Sequence, residues 1–245
     1  MHTVPKVSII VPIRNEAENI ASLASEVTSA MSGTDWSWEC LWVDDGSDDA
    51  SLSILKDLCR NDSRHRYLSF ERNAGQSAAL CAGFQMARGE ILATIDGDGQ
   101  NDPSDLPRVV AMVADGGTDM ANGYRARRRD TLVRKLSSRI GNGFRNLMTG
   151  KTVRDVGCST RAFRREYVQS LPRFAGMHRF LPTLVAMQGG RLAETPVNHR
   201  PRLRGKSKYG LHNRLWVGLA DTFGVLWLRK RAFRYSIASS SKMEE

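Results

Sequence analysis

The stretch EILATIDGDGQ, residues 90–100, decides the fold class of this chain. Its first half is a short apolar run, the pattern of a strand that is buried on both faces of a sheet. The run ends in two aspartates, Asp96 and Asp98, each followed by a glycine that permits a turn. The sequence therefore predicts a strand that ends in an acidic loop at the carboxyl edge of a parallel sheet.

The same pattern, an apolar run followed by polar residues, recurs on both sides of this segment. We predict further strands at 6–13, 40–45, 66–70, 118–122 and 191–197, and helices at 15–31, 50–60, 76–88, 105–115, 131–148, 177–189 and 211–228. Strands that alternate with helices are typical of a parallel sheet with helices on both faces. Asn15 and Asp45, which follow the first two strands, should then lie at the same sheet edge as Asp96.

Composition excludes several classes of protein. The chain has 245 residues, of which 41% are hydrophobic and 25% are charged, and this argues against disorder, collagen and coiled coil. The four cysteines lie far apart without a CxxC pair, which argues against a zinc knuckle and favours reduced thiols. We recognise no signal peptide and no apolar run long enough to predict a transmembrane helix.

Charge is distributed unevenly along the chain, although the net charge is +10. Residues 1–124 carry 9 basic and 19 acidic side chains, residues 125–165 carry 13 and 2, and residues 200–235 carry 10 and 1. Such a division suits a protein that holds a cation with one part and anions with another. Nucleic acid is not the expected partner, because the basic blocks contain few aromatic residues and match no common nucleic-acid-binding motif.

The acidic loop is a predicted metal site with Asp96, Asp98 and Gln100 as ligands. Two carboxylates at a strand end can converge on one hard cation, and Gln100 adds an amide oxygen. Oxygen ligands in an open geometry suit Mg2+ or Mn2+, which leave positions for substrate phosphates. The alternative is a solvated Asp/Gly turn, which the buried strand before it disfavours.

Seven segments of the chain occur in an order that is specific even though each one alone is not. They are VSIIVPIRNEAENI (7–20), WVDDGSDD (42–49), RNAGQSAALCAGFQMARGE (72–90), IDGDGQNDP (95–103), GYR (123–125), DVGCSTRAF (155–163) and RLRGKSKY (202–209). Over residues 6–228 the chain resembles family 2 glycosyltransferases, in particular the dolichol-phosphate mannosyltransferase-like branch that attaches sugars to polyprenyl phosphates. The resemblance implies a GT-A fold, which is a Rossmann-like, mostly parallel α/β sheet with helices on both faces.

The resemblance implies a nucleotide-sugar site at this sheet edge. Its residues would be Pro12, Arg14, Glu16, Val43, Asp45, Asp96, Gly97, Asp98, Arg125, Arg202 and Lys208. Val43 and Asp45 would line the base and ribose, and Arg14 stands where relatives often have tyrosine, which leaves the choice of base open. Arg202 and Lys208 would clamp the diphosphate.

The catalytic residues that the resemblance implies are Asp98, Arg125, Arg134 and Ser138. Arg125 would lie between the donor and acceptor phosphates, and Arg134 and Ser138 would bind the acceptor phosphate. Asp155 is interpreted either as a helix cap or as an orienting group on the acceptor side. Because a prenyl phosphate is already an anion, it can attack the anomeric carbon without a strong general base, and a single displacement inverts that carbon.

The apolar C-terminal helix is expected to lie in a membrane interface. The fourteen residues 215–228 would reach only ~21 Å, short of a ~30 Å hydrocarbon core, and basic residues follow them. Trp216, Phe223 and Trp227 suit the headgroup region, although Asp221 interrupts the apolar run. The alternative is an amphipathic helix that is docked on the protein itself.

We expect a glycosyltransferase domain at 1–209, with a nucleotide and metal half at 1–124 and an acceptor half at 125–209, then an interfacial segment at 210–235 and a tail at 236–245. The expected activity is metal-dependent transfer of a hexose from a GDP- or UDP-linked sugar to undecaprenyl or dolichyl phosphate. The protein would be peripheral at the cytoplasmic face of a bacterial membrane and act in cell-envelope synthesis, alone, as a homo-oligomer or with a membrane-protein partner.

Two alternative functions are kept. One is a family 2 enzyme that acts on a sugar hydroxyl in lipopolysaccharide or polysaccharide synthesis, which needs a general base, and no clear candidate follows Asp119. The other is a catalytically silent GT-A-like binding module, which the intact acidic loop and basic motifs argue against.

Overall fold

A computed structural model describes residues 4–126, 153–201 and 212–233. The strands within these ranges form one seven-stranded sheet of order β3-β2-β1-β4-β6-β5-β7. The strands are β1 Val7–Ile13, β2 Trp38–Asp44, β3 His65–Ser69, β4 Ile91–Thr94, β5 Met120–Arg125, β6 Arg161–Arg164 and β7 Leu192–Val197. Strand β6 runs antiparallel to β4 and β5, and the remaining pairs are parallel. The predicted α/β fold with a mostly parallel sheet is confirmed.

Helices cover both faces of the sheet and enclose two hydrophobic cores. They are α1 Ala17–Ser32, α2 Ser51–Asn61, α3 Gln76–Met86, α4 Leu106–Ala114, α5 Arg165–Gln169, α6 Leu181–Met187 and α7 His212–Arg231. Helices α1, α2 and α4 contribute to the first core, and α3, α5, α6 and α7 contribute to the second. In β1, Ile9 and Val11 lie in the first core and Ile10 lies in the second, because successive side chains of a strand point to opposite faces. This double burial explains why the central strands have continuous apolar sequences.

Most predicted elements agree with the structure to within a few residues, but strand β6 was not predicted. The segment DVGCSTRAF carries no predicted strand, yet its end forms part of β6 between β4 and β5. The sequence of this strand, RAFR, begins and ends with arginine, which hides its strand character. The predicted basic helix at 131–148 lies outside the described residues.

Two helices begin later than the sequence predicts. Helix α1 begins at Ala17 instead of residue 15, because Asn15 has a positive φ of 52° and leaves the helical region. The helix predicted at 177–189 is divided: Met177–Arg179 forms a 3-10 turn, and α6 begins only at Leu181.

Helix α7 docks on the second core through part of its surface. Val225 is buried there, Leu228 packs against the same cluster, and Asp221 lies 3.9 Å from the guanidinium of Arg179. The docked arrangement, which was the alternative to a purely interfacial helix, is therefore present on one face. Among the helices that the structure describes, none combines the length and the apolar content needed to cross a membrane.

Candidate functional site

The ends of β1 and β4 meet at the carboxyl edge of the sheet. Gly97 follows β4 and packs against the end of β1, where a Cβ atom on Gly97 would collide with the Ile13 side chain and lie 3.1 Å from the carbonyl oxygen of Pro12. Only glycine fits this approach, so the acidic loop lies directly beside the loop after β1. Pro12 and Gly97, both predicted to bind nucleotide, are thereby brought together.

Asp96 is the most perturbed carboxyl group of this edge. Burial and the nearby charge of Asp98 raise its pKa to about 6, while Ser159, Arg161 and Arg125 act in the opposite direction. Gln76, the first residue of α3, donates from Nε2 to Asp96 Oδ1 at 2.9 Å. Asn101, which follows the acidic loop, hydrogen-bonds Ser159 and Thr160 at 3.0 and 2.9 Å, and so joins this loop to the segment whose Asp155 binds Arg125.

The acidic loop fits a divalent cation in the chemistry of its donor atoms. Two carboxylates whose proximity raises the pKa of one of them gain stability when a cation neutralises both. Within the described ranges no group of three or more His, Cys, Asp or Glu side chains could hold a metal ion by itself. Such a site suits an ion that takes its remaining ligands from water and substrate phosphates.

Gln100 continues the loop and joins it to a second segment. Its backbone N–H donates to Asp98 Oδ1 at 3.1 Å, and its carbonyl oxygen accepts from the backbone N–H of Arg200 at 2.7 Å. Its side-chain Nε2 lies 3.5 Å from the Arg200 carbonyl oxygen, the outer limit of a hydrogen bond. The role of Gln100 as a metal ligand stays a prediction.

Asp45 is held by the turn that precedes α3. Its carboxylate accepts from the backbone N–H groups of Ala74 and Gly75, at 2.6 and 2.9 Å, and from Asn73 Nδ2 at 2.5 Å. Both carboxylate oxygens are therefore engaged within the protein. The segment RNAGQ thus supplies an anchor for Asp45 and, one residue further on, the Gln76 contact to Asp96.

The loops after β1 and β2 are joined by reciprocal hydrogen bonds. Asn15 Nδ2 donates to Asp48 Oδ1 at 2.5 Å, and the backbone N–H of Asp48 donates to Asn15 Oδ1 at 2.9 Å. Asp44 accepts from the hydroxyl groups of Ser47 and Ser69. Much of the acidic WVDDGSDD segment therefore shapes the edge of the site and does not point to a ligand.

The remaining nucleotide-site residues of the first half differ in accessibility. Arg14 and Glu16 are half-buried at the edge, and Glu16 Oε2 accepts from Asn19 Nδ2 at 2.6 Å. Val43 is fully buried and belongs to the second core. This burial does not support the predicted contact of Val43 with a base, because the Val43 side chain packs under α3.

Arg125 is clamped by Asp155. Its Nε donates to Asp155 Oδ2 at 2.7 Å and one terminal nitrogen donates to Oδ1 at 2.9 Å, while its backbone N–H lies 3.2 Å from Oδ2. Both side chains are largely buried. Of the two interpretations of Asp155, the structure agrees with the orienting group, because this carboxylate fixes a guanidinium and not a helix end.

Four predicted site residues, Arg134, Ser138, Arg202 and Lys208, lie outside the described residues, as does the 127–129 arginine run. The segment that leads into 202–211 is described, and it is anchored at the acidic loop. His199 forms a backbone bridge with Asn101, and Arg200 pairs with Glu26 and Asp102 at 2.6 and 2.8 Å.

Sequence reasoning assigned no role to several residues that line this site. Gln76 donates a hydrogen bond to Asp96. Carbonyl oxygens of the segment that carries Asp155 accept hydrogen bonds from Asn122 and Arg161. Asn101, just after the acidic loop, forms hydrogen bonds with Ser159 and Thr160. A signal was present for Arg161, because it is the basic residue of the 155–163 motif. Its burial, at 4% exposed, could not be inferred because β6 was not predicted.

A family model described as Glycosyl transferase family 2 matches residues 8–171, which include the acidic loop, Arg125 and Asp155. The chain belongs to glycosyl transferase family 2. It is therefore a glycosyltransferase by family, in agreement with the resemblance that the motifs indicate.

Curated relatives of this family 2 chain include enzymes whose names contain a polyprenyl phosphate. It is 36% identical over 229 residues to a dodecaprenyl-phosphate galacturonate synthase of Rhizobium johnstonii, covering 92% of this chain and 68% of the relative. It is 38% identical over 207 residues to an undecaprenyl-phosphate 4-deoxy-4-formamido-L-arabinose transferase of Salmonella choleraesuis, covering 84% of this chain and 63% of the relative. The chain thus spans about two thirds of the length of these relatives.

Solved structures support the fold of the family 2 chain. A glucosyl-3-phosphoglycerate synthase of Mycobacterium tuberculosis in complex with Mn2+, uridine-diphosphate and glucosyl-3-phosphoglycerate superposes with a TM-score of 0.68 at 18% identity, covering 92% of this chain and 80% of that one. A mannosyltransferase of Pyrobaculum calidifontis in complex with GDP-Man and Mn2+ gives 0.63 at 20% identity, covering 96% and 67%. At these identities the likeness establishes the fold alone.

Proposed function

We propose that the protein is an inverting, divalent-metal-dependent glycosyltransferase that moves a hexose-type sugar from a nucleoside diphosphate to a polyprenyl phosphate. The observation that carries the proposal is the hydrogen-bonded connection, through Asn101, between the Asp96/Asp98 loop and the 155–160 segment, whose Asp155 clamps Arg125. One side of this site suits a cation with a diphosphate, and the other suits a second phosphate. The polyprenyl-phosphate substrates in the names of two curated relatives support the acceptor class.

Charge neutralisation is the main chemical task of such a site. In the reaction an oxygen of the acceptor phosphate bonds to the anomeric carbon while the bond to the diphosphate breaks, and the electron pair leaves with the nucleoside diphosphate. A bound Mg2+ or Mn2+ would supply charge neutralisation for the diphosphate. Asp96, Asp98 and Gln100 would hold that ion, and Arg202 and Lys208 would bind the diphosphate from the other side.

The acceptor side needs a fixed positive charge more than it needs a base. Arg125 is held in one orientation by two hydrogen bonds that it donates to Asp155, so its guanidinium is preorganised for a phosphate. Arg134 and Ser138 would add further contacts to the same phosphate. A phosphate acceptor is ionised at neutral pH, so no proton has to be removed before it attacks.

The alternative acceptor, a sugar hydroxyl, would require a general base near the anomeric carbon. Asp155 is committed to Arg125, and Asp119 lies at the opposite edge of the sheet, where it pairs with Arg191 at 3.0 Å and Arg164 at 3.3 Å. These pairings favour the phosphate acceptor.

Helix α7 offers a surface for a membrane that holds the lipid acceptor. The side chains of Phe223 and Trp227 are 57% and 63% exposed, and the exposed residues Arg229, Lys230 and Arg231 follow them. Aromatic side chains beside basic ones suit the headgroup region of an anionic bilayer. We propose peripheral attachment at the cytoplasmic face, in line with the free thiols of Cys40, Cys59, Cys81 and Cys158.

The activity test offers GDP- and UDP-linked sugars with undecaprenyl phosphate and either Mg2+ or Mn2+, with and without EDTA. We expect a lipid-linked sugar, detected by mass spectrometry, that disappears with EDTA and returns with added metal. Absence of product with every donor contradicts the acceptor class. Product that forms equally well on a lipid-free sugar hydroxyl supports the alternative.

A further inference from the structure

Two buried polar side chains face each other on neighbouring strands beneath the Arg125 clamp. Asn122 of β5 and Arg161 of β6 are register partners, and they are 0% and 4% exposed. Arg161 Nε donates to Asn122 Oδ1 at 2.9 Å. We propose that this pair positions the Asp155 carboxylate and thereby orients Arg125 toward the acceptor phosphate.

The pair holds two consecutive carbonyl groups of the loop that carries Asp155. Asn122 Nδ2 donates to the carbonyl oxygen of Asp155 at 3.1 Å, and a terminal nitrogen of Arg161 donates to the carbonyl oxygen of Val156. Because the backbone is fixed on both residues, the Asp155 side chain starts from a defined position. Its two hydrogen bonds with Arg125 then transmit that position to the guanidinium.

The Arg161–Asn122 hydrogen bond also fixes the orientation of the amide. Asn122 Oδ1 accepts from Arg161, so Nδ2 is the atom that must face the Asp155 carbonyl oxygen, and it also reaches the Gly123 carbonyl oxygen at 2.8 Å. Without Arg161 the amide would lose the bond that sets its orientation, and without Asn122 the Asp155 carbonyl oxygen would lose its donor.

The other terminal nitrogen of Arg161 ties a second segment to the same point. It donates to the carbonyl oxygen of His178 at 2.9 Å, and the His178 ring lies 2.8 Å from the Ser77 hydroxyl. Ser77 follows Gln76, whose amide holds Asp96. One guanidinium therefore connects the Asp155 loop with the turn that rests on the donor side of the site.

Arg161 donates hydrogen bonds to three acceptors that lie in different directions, which explains why this position requires arginine. The guanidinium is a planar fork that serves Asn122, Val156 and His178 at once, whereas a lysine ammonium on a flexible stem cannot reach all three. The hydrogen-bond partners of Arg161 are neutral, and the nearby charges of Asp96 and Asp155 offset its buried charge. This arrangement keeps the cation buried without competing with Arg125 for the Asp155 carboxylate.

The kinetic test of this inference rests on the proposed function. We expect Arg161→Lys to lower kcat with the polyprenyl phosphate by about a hundredfold, because a misplacement near 1 Å at a reacting group has that cost. The KM for the nucleotide sugar should stay within about threefold of wild type, since the acidic loop is untouched. Arg164→Lys, on the same strand but paired with Asp119 at the opposite edge, is the matched control and should leave both parameters unchanged.

A double-variant comparison separates positioning from mere stability. If Arg161 acts through Asp155, then Arg161→Lys combined with Asp155→Asn should be no slower than Asp155→Asn alone. Multiplied losses, or an unchanged kcat for Arg161→Lys, would overturn the proposal. Should Arg161→Lys fail to fold, Asn122→Asp gives the same test, because it can still accept from Arg161 but cannot donate to the Asp155 carbonyl oxygen.

Hydrogen–deuterium exchange provides a measurement that needs no turnover. We expect faster amide exchange across 153–160 in Arg161→Lys and Asn122→Asp, and wild-type exchange in Arg164→Lys. Unchanged exchange in the first two variants would contradict the positioning role. If even the wild-type protein forms no lipid-linked sugar, the proposed function fails while the exchange experiment still decides this inference.

Discussion

The two sides of the site are built differently. On the donor side, the loops after β1, β2 and β4 leave parallel strands at one edge, and their polar residues directly follow apolar runs. On the acceptor side, β6 runs in the opposite direction, so its first residue, Arg161, lies near the site and its last residue, Arg164, lies at the far edge. Under the proposed function, the donor side would therefore be formed by strand ends, and the acceptor side by the beginning of a strand and a buried polar pair.

This difference shows that acidic residues at a sheet edge are not equivalent. Asp45 and Asp48 hold neighbouring loops, whereas Asp96 is held by Gln76 through one oxygen and carries a raised pKa. We infer that Asp45 and Asp48 shape the donor side, whereas Asp96 is available to bind a ligand.

The largest expected effect comes from removing one charge of the acidic loop. Asp98→Asn should lower turnover by about a hundredfold or more, because the cation that neutralises the leaving group is lost. Mn2+ binding, measured by titration calorimetry, should weaken in parallel. Asp57→Asn, an exposed carboxylate on α2, serves as the control.

On the acceptor side, Arg125→Lys should lower turnover more strongly than it weakens nucleotide binding and should leave Mn2+ binding intact, because lysine cannot form the two-point contact with Asp155. Loss of Mn2+ binding in this variant would mean that the two sides are not separable. Binding is measured with uridine- and guanosine-diphosphate in the same titrations.

A smaller effect is expected from the loop-shaping carboxylate. Asp45→Ala leaves the N–H groups of Ala74 and Gly75 without their charged acceptor, and a hydrogen bond to a charged group contributes about 1.5–3 kcal/mol. The free energy of unfolding in urea should fall by about that amount. An unchanged free energy together with lost nucleotide binding would instead assign Asp45 to the ligand.

The sheet, its edge and the donor-side loops could be predicted because each of them follows from local sequence. Apolar runs such as 7–13 identify central strands, and the aspartates that follow such runs identify the edge. Strand β6 could not be predicted in this way, since its four residues include two arginines. The partners of Asp45 and Asp155 also escaped prediction, because each pairing joins residues about 30 positions apart.

The exposed surface of α7, which we propose contacts a membrane, gives a graded test outside the site. Each basic residue near an anionic surface contributes about 1 kcal/mol, so Lys230→Gln and Arg231→Gln should each weaken binding to vesicles containing anionic lipid by roughly fivefold. Arg60→Gln, on the exposed surface of α2, should leave binding unchanged. Equal binding of all three variants would remove α7 from the membrane contact.

The smallest expected effect is a pH dependence of the free energy of unfolding, which should have opposite signs for His65 in the core and Asp96 at the sheet edge. His65 accepts from Trp42 Nε1 at Nδ1, and burial lowers its pKa below the ordinary 6.5. The unfolded chain then binds the proton first, so the free energy of unfolding should fall as pH drops below about 6.5. His65→Gln should abolish this contribution.

Asp96 should show the opposite sign. In the metal-free protein its pKa of about 6 exceeds the ordinary 3.8, so its contribution to stability should grow as pH falls from about 6 to 4 and disappear above 6. Urea unfolding of Asp96→Asn and wild type across this range measures the difference. An Asp96 contribution that grows with rising pH would contradict the raised pKa.

The antiparallel pairing of β5 and β6 has a consequence for engineering. Cross-strand pairs such as Asn122 and Arg161 fix the register of the two strands, whatever the length of chain between Arg125 and Asp155. A chimera in which residues 127–152 are exchanged for those of a relative should therefore keep this register and the Arg125–Asp155 pair. Its activity with different acceptors would test whether the exchanged residues contribute to the choice of acceptor.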